Sequence, residues 1–577
     1  MDRVAGLSAG FGIICGMKHL LPLPRRAETG PGSAEIAPGS AVSGPAPLTD
    51  AVRLALPVLD LRVLDLRVLD LRVLDLRPGD AATAAVRVEE DPRLGPEAYE
   101  LTIAGDGVRI AAGDRAGAFY AAQTLRQLLP AEAFRSAVAP GTSWTVPCGR
   151  VEDAPRFSWR GAHLDVARNF LPKREVLRMI DLMALHKLNR LHLHLADDQG
   201  WRVESRAFPL LHEVGSHRPQ TITSHKGEAP AFDGVPHGGH YTLSDLAEIA
   251  AYARAREVMV VPEIDVPGHA SAVLAAYPAL ASRPQERYEV LNRWGISPAI
   301  LSPLPATVDF LTTVFAEITD ALGDVPYFHI GGDECVLDDW AASAEISAYQ
   351  ASLGLETTGD LHAWFLRRLA DALAERGSRA VVWDEAFVSG RLRPDTVVMP
   401  WRGEHVARRA AAAGHDVVAT PVFPMYFDYA EAASPEEPAG LGDAITVADV
   451  VAFAPAPSEW PEEERARVIG TQFQLWSERI PDGRTLDYRA WPRGCAAAEV
   501  AWTGGPAAPE DFFPRLEAHL ARLDAFGVEY RPLSGPRPWQ RGGTGWRRHR
   551  PGAVDVQDVM RHLHELSLSA DSTRPSL

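Results

Sequence analysis

The sequence predicts an α/β protein in which a (β/α)8 barrel of the TIM type follows a small α+β domain. Three observations support this prediction. Strand-like and helix-like patterns alternate eight times between about residue 155 and about residue 505, which is typical of a parallel sheet built from βα units. A strand, turn and strand pattern followed by a helix precedes this region. Polar and aromatic residues follow the predicted strands, where barrels of this kind carry their functional side chains.

The first 145 residues contain a predicted lead-in and the small domain. Residues 1–50 are rich in Pro, Gly, Ser and Ala from position 25 onward, and this composition favours a flexible lead-in. We place the small domain at residues 51–145, because alternating apolar residues on both sides of Gly105 and Gly107 indicate a hairpin and the following residues indicate a helix. The pentapeptide VLDLR occurs four times in tandem over residues 58–77. Its period matches neither a strand nor a helix, and we interpret it as a neutral duplication that lengthens a strand or an edge loop.

The predicted barrel spans residues 150–535, and a C-terminal tail covers residues 536–577. Its eight predicted strands are the segments WRGAHLDV, RLHLHLA, VMVVPEID, YFHIGG, RAVVWD, TVVMPW, DVVATP and VIGTQFQLW. Helical patterns with one apolar face lie between most of them, for example EVLRMIDLMALHKLN and TVDFLTTVFAEITDALG. A region of this length is within the size range of a (β/α)8 barrel with insertions.

Composition and charge limit the classes of function. The 577 residues are 46% hydrophobic and 23% charged, as in an ordinary soluble globular protein. A net charge of −18 disfavours nucleic acid and anionic membrane surfaces as partners. Four widely spaced cysteines indicate neither a disulfide framework nor a zinc site, and no apolar run has the length of a membrane span. We expect a cytoplasmic protein, with export through the weak apolar stretch near the N-terminus as the alternative.

The residues at the predicted strand ends form an unusually polar and aromatic set. They are Arg168, Asp197, Asp198, Asp265, His269, Asp333, Glu334, Trp383, Asp384, Trp401, Tyr426, Asp428, Trp476 and Glu478. Each of them, taken alone, has an ordinary structural interpretation, such as a helix N-cap or a core indole. All eight strand ends would, however, converge on one pocket. Indole faces for sugar rings together with carboxylates and an arginine for hydroxyls suit a neutral polyhydroxylated ligand.

The segment YFHIGGDECV places two acids, Asp333 and Glu334, directly after a strand and two glycines. On a regular strand neighbouring side chains point to opposite faces. Beyond the strand end, Gly331 and Gly332 free the backbone, so that both carboxyl groups can enter the pocket at different depths. Two carboxyl groups that flank one bond are what glycoside cleavage needs. Burial and the proximity of two like charges would raise the pKa of one acid and keep it protonated as a donor.

Six motifs in this order resemble the β-N-acetylhexosaminidases of glycoside hydrolase family 20. They are DAPRFSWRGAHLDVAR, LHLHLADDQGWR, PEIDVPGH, HIGGDE, VVWDE and LWSE. The preceding α+β segment resembles the small N-terminal domain of that family, and the resemblance covers about residues 85 to 535. It implies hydrolysis of terminal β-linked N-acetylglucosamine or N-acetylgalactosamine without a cofactor or metal. The nucleophile would be the acetamido oxygen of the substrate.

The resemblance also implies a role for each site residue. Glu334 would be the general acid and later the base, and Asp333 would orient and stabilise the acetamido group. The implied substrate-binding residues are Trp383, Trp401 and Trp476 as walls of the acetamido pocket, Tyr426 as a donor to its oxygen, Arg168, Asp428 and Glu478 on outer hydroxyls, and the supporting pair Asp197 and His269. The partner is an amino-sugar glycoside or oligosaccharide. Its natural form, the gluco or galacto preference and the oligomeric state stay open.

Two alternatives remain. The pair His192 and His194 on one predicted strand is similar to an H-x-H metal pair, but the other strand ends offer indoles and single carboxylates in place of further ligands. A sugar-binding protein without activity is the second alternative, which the presence of both Asp333 and Glu334 disfavours. Two features depart from the family pattern, the VLDLR repeat and the two glutamines in GTQFQLWSE.

Overall fold

The computed structural model describes residues 17–36, 40–56, 77–78, 84–137, 141–224, 229–389 and 391–541. These residues form two compact units. The first unit contains the described residues up to Pro155 together with Ala508–Val528, and the second contains Arg156–Ala507 and the described residues from Glu529 onward. The VLDLR repeat lies outside the described residues except for its last residue, Arg77.

The first unit has the predicted α+β composition, with helices and a seven-stranded mixed sheet. From one edge to the other its strands are Arg26–Glu35, Thr145–Asp153, Tyr99–Ala104, Gly107–Ala112, Val86–Glu90, Ala41–Ser43 and Arg77–Pro78. Its helices are Ala46–Ala55, Arg115–Leu128 and Pro509–Phe526, with 3-10 helices at Met17–His19 and Ala131–Phe134. The helix after the hairpin begins where predicted because Asp114 caps it, accepting a hydrogen bond from the main-chain N–H of Gly117 at 2.8 Å.

Two segments of this unit differ from the boundaries that the sequence suggested. Residues 26–35, within the predicted lead-in, form a strand that pairs antiparallel with Thr145–Asp153. The neighbouring strand supplies main-chain partners despite a composition that includes Gly and Pro. The helix Pro509–Phe526, assigned from sequence to the barrel, belongs to this unit. Arg522 on that helix donates to the carbonyl oxygens of Gln127 and His19, at 3.0 and 3.2 Å.

The second unit is a closed barrel of eight parallel strands, which confirms the predicted fold class. In chain order the strands are Trp159–Asp165, Arg190–His194, Met259–Glu263, Tyr327–His329, Arg379–Trp383, Val397–Met399, Val417–Ala419 and Val468–Leu475. Each lies inside one of the eight predicted segments. The helices are Lys173–Leu185, Leu210–Glu213, Leu243–Ala255, Ser271–Ala276, Pro305–Leu322, Asp338–Ala342, Ala344–Ser352, Thr358–Glu375, Glu404–Ala412, Val422–Met425, Val447–Val451, Glu462–Arg465, Gly483–Ala490 and Arg493–Thr503.

Apolar burial and helix capping hold the barrel in place. The first barrel strand is buried along its whole length, which is typical of parallel strands covered on both faces. The helix Thr358–Glu375 begins with a capping box in which Thr357 and Asp360 satisfy each other's main-chain N–H groups, an arrangement that typically stabilises a helix by about 1 kcal/mol. In the described part of the chain, no helix is both long enough and apolar enough to cross a bilayer. The barrel thus gathers the carboxyl ends of eight strands at one face.

Candidate active site

Arg168 joins the ends of the first, second and eighth barrel strands. Its Nη2 lies 2.7 Å from Asp197 Oδ2 and its Nη1 lies 3.5 Å from Asp165 Oδ2. The guanidinium is 4.7 Å from the ring centroid of Trp476, within the range of a cation–π contact. Burial by itself lowers the pKa of Arg168, but Asp197 and Asp165 outweigh burial and raise this pKa well above its ordinary value. Arg168 therefore carries a permanent positive charge at the rim of the barrel.

Asp197 connects this arginine to His269, which in turn faces the two acids. Asp197 Oδ1 is 3.2 Å from His269 Nδ1, and His269 Nε2 is 3.5 Å from Glu334 Oε2 and 3.9 Å from Asp333 Oδ2. Burial opposes the charge on both partners. The charge of Arg168 nevertheless lowers the pKa of Asp197, and Asp197 raises the pKa of His269 well above its ordinary value. The imidazole therefore stays protonated beside the acid pair.

The backbone around the acid pair turns sharply, as the two glycines predict. Gly331 and Gly332 have φ angles of +63° and +99°, in a region that residues with a side chain rarely occupy. A Cβ on Gly331 would lie 1.6 Å from Asp265 Oδ1, so the close approach of strands three and four also requires glycine. Glu334 itself has φ +50°, an uncommon conformation for a residue other than glycine. Local strain of this kind concentrates at functional sites.

The environments of the two adjacent acids differ. Asp333 is 9% exposed, and its Oδ1 has no hydrogen-bond partner among the described residues. Burial, and next the neighbouring Asp265, raise the pKa of Asp333 well above its ordinary value. The side chain of Glu334 is 32% exposed. Asp333 is thus buried with an oxygen that has no partner among the described residues, and Glu334 is partly exposed to solvent.

Four aromatic residues from the last four strand ends form one wall. Trp383 and Trp476 belong to a buried apolar cluster inside the barrel, and Trp401 and Tyr426 pack against that cluster. The ring centroid of Trp476 is 5.9 Å from that of Trp383 and 6.2 Å from that of Tyr426. The indole N–H of Trp401 is buried and has no acceptor within the described residues. The wall therefore offers apolar faces together with a free donor.

Two further acids lie at the ends of strands seven and eight. Both carboxylate oxygens of Asp428 and the Oε2 atom of Glu478 are buried and lack a hydrogen-bond partner in the described part of the chain. Burial, and then the charge of Glu478, raise the pKa of Asp428 to about 8. Burial also raises the pKa of Glu478. Buried polar atoms are almost always satisfied in folded proteins, so these oxygens can form hydrogen bonds with a bound group.

Beneath the pocket, Glu263 is the centre of a buried polar cluster. Its Oε1 accepts a hydrogen bond from the indole N–H of Trp383 at 2.9 Å and lies 2.8 Å from His329 Nδ1. Its Oε2 lies 3.0 Å from His192 Nε2 and close to His194 Nδ1. Burial favours a neutral Glu263, but the surrounding histidines hold the pKa of Glu263 well below its ordinary value.

This cluster bears on the H-x-H alternative. The ligand atoms of His163, His192 and Glu263 lie close enough together for one cation. The contacts of Glu263, however, tie His192 and His194 into a charge network that supports Trp383. In the same interior Gln472, one of the two unexpected glutamines, contacts His192 Nδ1 at 3.0 Å and accepts from Trp159 Nε1 at 3.2 Å. That glutamine is therefore a satisfied part of the barrel interior.

Comparison with known families matches both units. The sequence model described as "Glycosyl hydrolase family 20, catalytic domain" matches residues 157–505, and that described as "Glycosyl hydrolase family 20, domain 2" matches residues 18–154. The chain belongs to glycosyl hydrolase family 20. This finding confirms the family that the six motifs suggested. The residues matched by the catalytic-domain model are those that form the barrel, and they include the acid pair.

Individual relatives of this family 20 chain agree with the match. A β-hexosaminidase of Porphyromonas gingivalis is 38% identical over 461 residues, which cover 78% of this chain and 56% of that protein. A β-hexosaminidase of Akkermansia muciniphila is 33% identical over 436 residues, or 75% of this chain and 84% of that protein. The chain thus spans little more than half of the Porphyromonas protein and most of the Akkermansia protein.

Solved structures show the same fold. The exo-β-N-acetylglucosaminidase of Vibrio harveyi, solved with N-acetylglucosamine, superposes with a TM-score of 0.77 at 30% identity and covers 89% of this chain and 78% of its own. The β-N-acetylhexosaminidase of Streptomyces coelicolor A3(2) has a TM-score of 0.73 at 29% identity and covers 90% of this chain and 99% of its own.

The structure brings the sequence-predicted residues of this family 20 site to one face of the barrel, and it adds two that were not assigned a role. Glu263 lies inside the motif PEIDVPGH and Glu385 ends the motif VVWDE. The sequence pattern indicates an ordinary strand residue at Glu263 and an ordinary loop acid at Glu385, so neither stands out. The only feature of the sequence that could have pointed to Glu263 and Glu385 was their position in motifs that also contain predicted site residues.

Proposed function

We propose that this family 20 protein removes terminal non-reducing β-linked N-acetylglucosamine or N-acetylgalactosamine residues with retention of configuration. The observation that carries the proposal is the adjacent pair of unlike acids in a pocket with an aromatic wall. Asp333 is buried and its Oδ1 has no partner among the residues that the structure describes, and the side chain of Glu334 is partly exposed. The family membership and the names of the relatives support the same activity.

In the first step, the acetamido carbonyl oxygen of the substrate attacks C1 while the bond from C1 to the glycosidic oxygen breaks. Glu334 gives its proton to the departing oxygen, and the sugar is left as an oxazolinium ion. Such proton transfer typically accelerates a reaction by about 10² to 10⁴-fold. The partly exposed position of the Glu334 side chain suits a group that must meet a leaving alcohol at the pocket opening.

In the second step, Glu334, now a carboxylate, takes a proton from water while that water attacks C1 and opens the oxazolinium ring. The acetamido group is restored, and Glu334 regains its proton for the next cycle. Two displacements at C1 give net retention. No protein atom forms a covalent bond with the sugar in this mechanism. Asp333 is therefore not needed as a nucleophile and can have another role.

That second acid, Asp333, would accept the N–H of the acetamido group and stabilise the positive charge that develops on it. Its unpartnered Oδ1 supports this role, since the free atom needs a donor from the substrate. Positive charge on the substrate would in turn offset the burial that raises the pKa of Asp333. Trp383, Trp401 and Trp476 would enclose the acetamido methyl group, and the phenol of Tyr426 would donate to the acetamido oxygen.

The outer hydroxyls of the sugar would meet the charged residues at the other strand ends. Asp428 and Glu478 would accept hydrogen bonds from these hydroxyls, because their buried oxygens lack a partner among the described residues. Arg168 would donate a hydrogen bond to one of the hydroxyls. Asp197 and His269 would keep Glu334 oriented through the 3.5 Å contact of His269. A pocket that matches hydroxyl donors with buried acceptors rejects sugars that lack them.

Replacement of Glu334 by Gln tests the assignment of the acid. The kcat/KM of Glu334→Gln should fall by about 10² to 10⁴-fold on a 4-methoxyphenyl glycoside, whose leaving group needs a proton, and far less on a 2,4-dinitrophenyl glycoside, whose leaving group does not. An equal loss on both substrates would count against Glu334 as the acid. Tight binding of N-acetylglucosamine by a wild-type protein that hydrolyses neither substrate would favour the inactive sugar-binding protein instead.

A further inference from the structure

The last residue of the fifth barrel strand and the two residues that follow it each connect to a different part of the site. The indole N–H of Trp383 donates to Glu263 at 2.9 Å. Asp384 accepts from Arg402 Nε at 2.8 Å. Glu385 Oε2 accepts a hydrogen bond from the main-chain N–H of Glu334 at 2.6 Å. The first of these residues belongs to the aromatic wall, but the mechanism above uses neither of the other two.

The contact of Glu385 is made at a residue with an uncommon backbone conformation. Glu334 has a left-handed backbone with φ +50°, which is disfavoured unless the surrounding structure imposes it. The backbone torsions of a residue set the direction in which its side chain leaves the chain. An acceptor on the N–H of Glu334 therefore influences where the carboxyl group of Glu334 points.

We propose that Glu385 is a positioning residue that holds the main chain of Glu334 in its left-handed conformation and so aims the general acid at the glycosidic oxygen. This inference rests on the proposed function, because it takes Glu334 as the acid. The acid would then be fixed from two sides. His269 lies 3.5 Å from its carboxyl group, and Glu385 binds its main-chain N–H.

The chemistry of the contact indicates which variants separate this role from a general structural one. Burial, and then the nearby Asp333, raise the pKa of Glu385 to about 8, so the group accepts the hydrogen bond without needing a negative charge. A glutamine keeps a carbonyl oxygen of the same reach and is the conservative variant. An alanine removes the acceptor and leaves the N–H of Glu334 without its side-chain partner.

The experiment measures kcat/KM of Glu385→Ala and Glu385→Gln on the 4-methoxyphenyl and 2,4-dinitrophenyl β-N-acetylglucosaminides. A misdirected acid should cost Glu385→Ala about 10²-fold on the poor leaving group and little on the activated one, whereas Glu385→Gln should stay close to wild type on both. Thermal unfolding of both variants shows whether each is folded under the assay conditions. Glu334→Gln is measured in parallel on the same substrates.

Equal losses of Glu385→Ala on both substrates, or a Glu385→Gln variant as impaired as Glu385→Ala, would overturn the inference. Glu385→Ala as active as wild type would overturn it as well. Glu334→Gln separates this failure from that of the proposed function. If Glu334→Gln shows the leaving-group dependence and Glu385→Ala does not, only the positioning role is lost. If Glu334→Gln shows no such dependence, the acid assignment itself is wrong.

Discussion

Asp428 is buried with both carboxylate oxygens unpartnered within the described residues, and this makes it a group that lowers the stability of the folded protein. Burial and the neighbouring Glu478 raise its pKa from 3.8 to about 8. Between these two pH values the folded protein holds a proton that the unfolded chain has lost. Folding therefore takes up a proton in this window, and the free energy of unfolding falls as the pH rises toward 8.

The size of the effect follows from the shift. One pKa unit corresponds to about 1.36 kcal/mol, so the pH window from 5 to 8 costs the wild type about 4 kcal/mol at this one residue. Asp428→Asn has nearly the same shape but does not ionise. The variant should therefore match the wild type near pH 4 and become increasingly more stable than the wild type as the pH rises, with most of the gain present at pH 8.

Urea unfolding at pH 5 and pH 8, followed by tryptophan fluorescence, measures this difference, and Asp324→Asn at an exposed position serves as the control. If Asp428 contacts a sugar hydroxyl, the same Asp428→Asn variant should lose about tenfold in kcat/KM, because the amide replaces one carboxyl oxygen with an NH2 group that cannot accept a hydrogen bond. A stability difference that is the same at both pH values would mean that Asp428 does not hold a proton in the folded state.

Two further variants test other parts of the site. Asp333→Ala should lower kcat by about 10² to 10⁴-fold while KM changes less, as expected for a group that stabilises charge in the transition state. Steady-state kinetics measures both constants. A change in KM alone would contradict this role. Glu263→Gln should lower the free energy of unfolding by about 3 to 5 kcal/mol, because an amide N–H would face the histidines and the indole that now contact a carboxylate. Thermal unfolding measures this loss. A melting temperature equal to that of wild type would show that the cluster is not charged.

The sequence predicted the barrel well because the information is local. Each predicted strand was recognised from a short stretch of consecutive residues, and all eight observed strands lie within the predicted segments. The turn at Gly331 and Gly332 was equally predictable, since two consecutive glycines after an apolar run favour backbone conformations that end a strand. The strand Arg26–Glu35 was not predictable, because its Gly and Pro content indicates a loop and only its pairing with Thr145–Asp153 makes it a strand.

The supporting contacts of the site were beyond what a sequence pattern gives. Glu385 lies 51 positions from Glu334, and their contact depends on the left-handed backbone of Glu334. Glu263 lies on a strand whose pattern indicates burial, but only the closed barrel shows that three histidines and Trp383 surround it. Motif resemblance named residues at the strand ends. The contacts that Glu263 and Glu385 make with those residues emerged only from the folded structure.

If the acetamido group of the substrate is the nucleophile, as we propose, hydrolysis must depend on that group. The rates of hydrolysis of p-nitrophenyl β-N-acetylglucosaminide and p-nitrophenyl β-glucoside would be measured side by side. The two compounds share a leaving group and differ at the acetamido position. We expect rapid hydrolysis of the first and none of the second. Comparable rates on both would mean that a protein carboxylate attacks C1, which would contradict the role of Asp333 and the substrate-assisted mechanism.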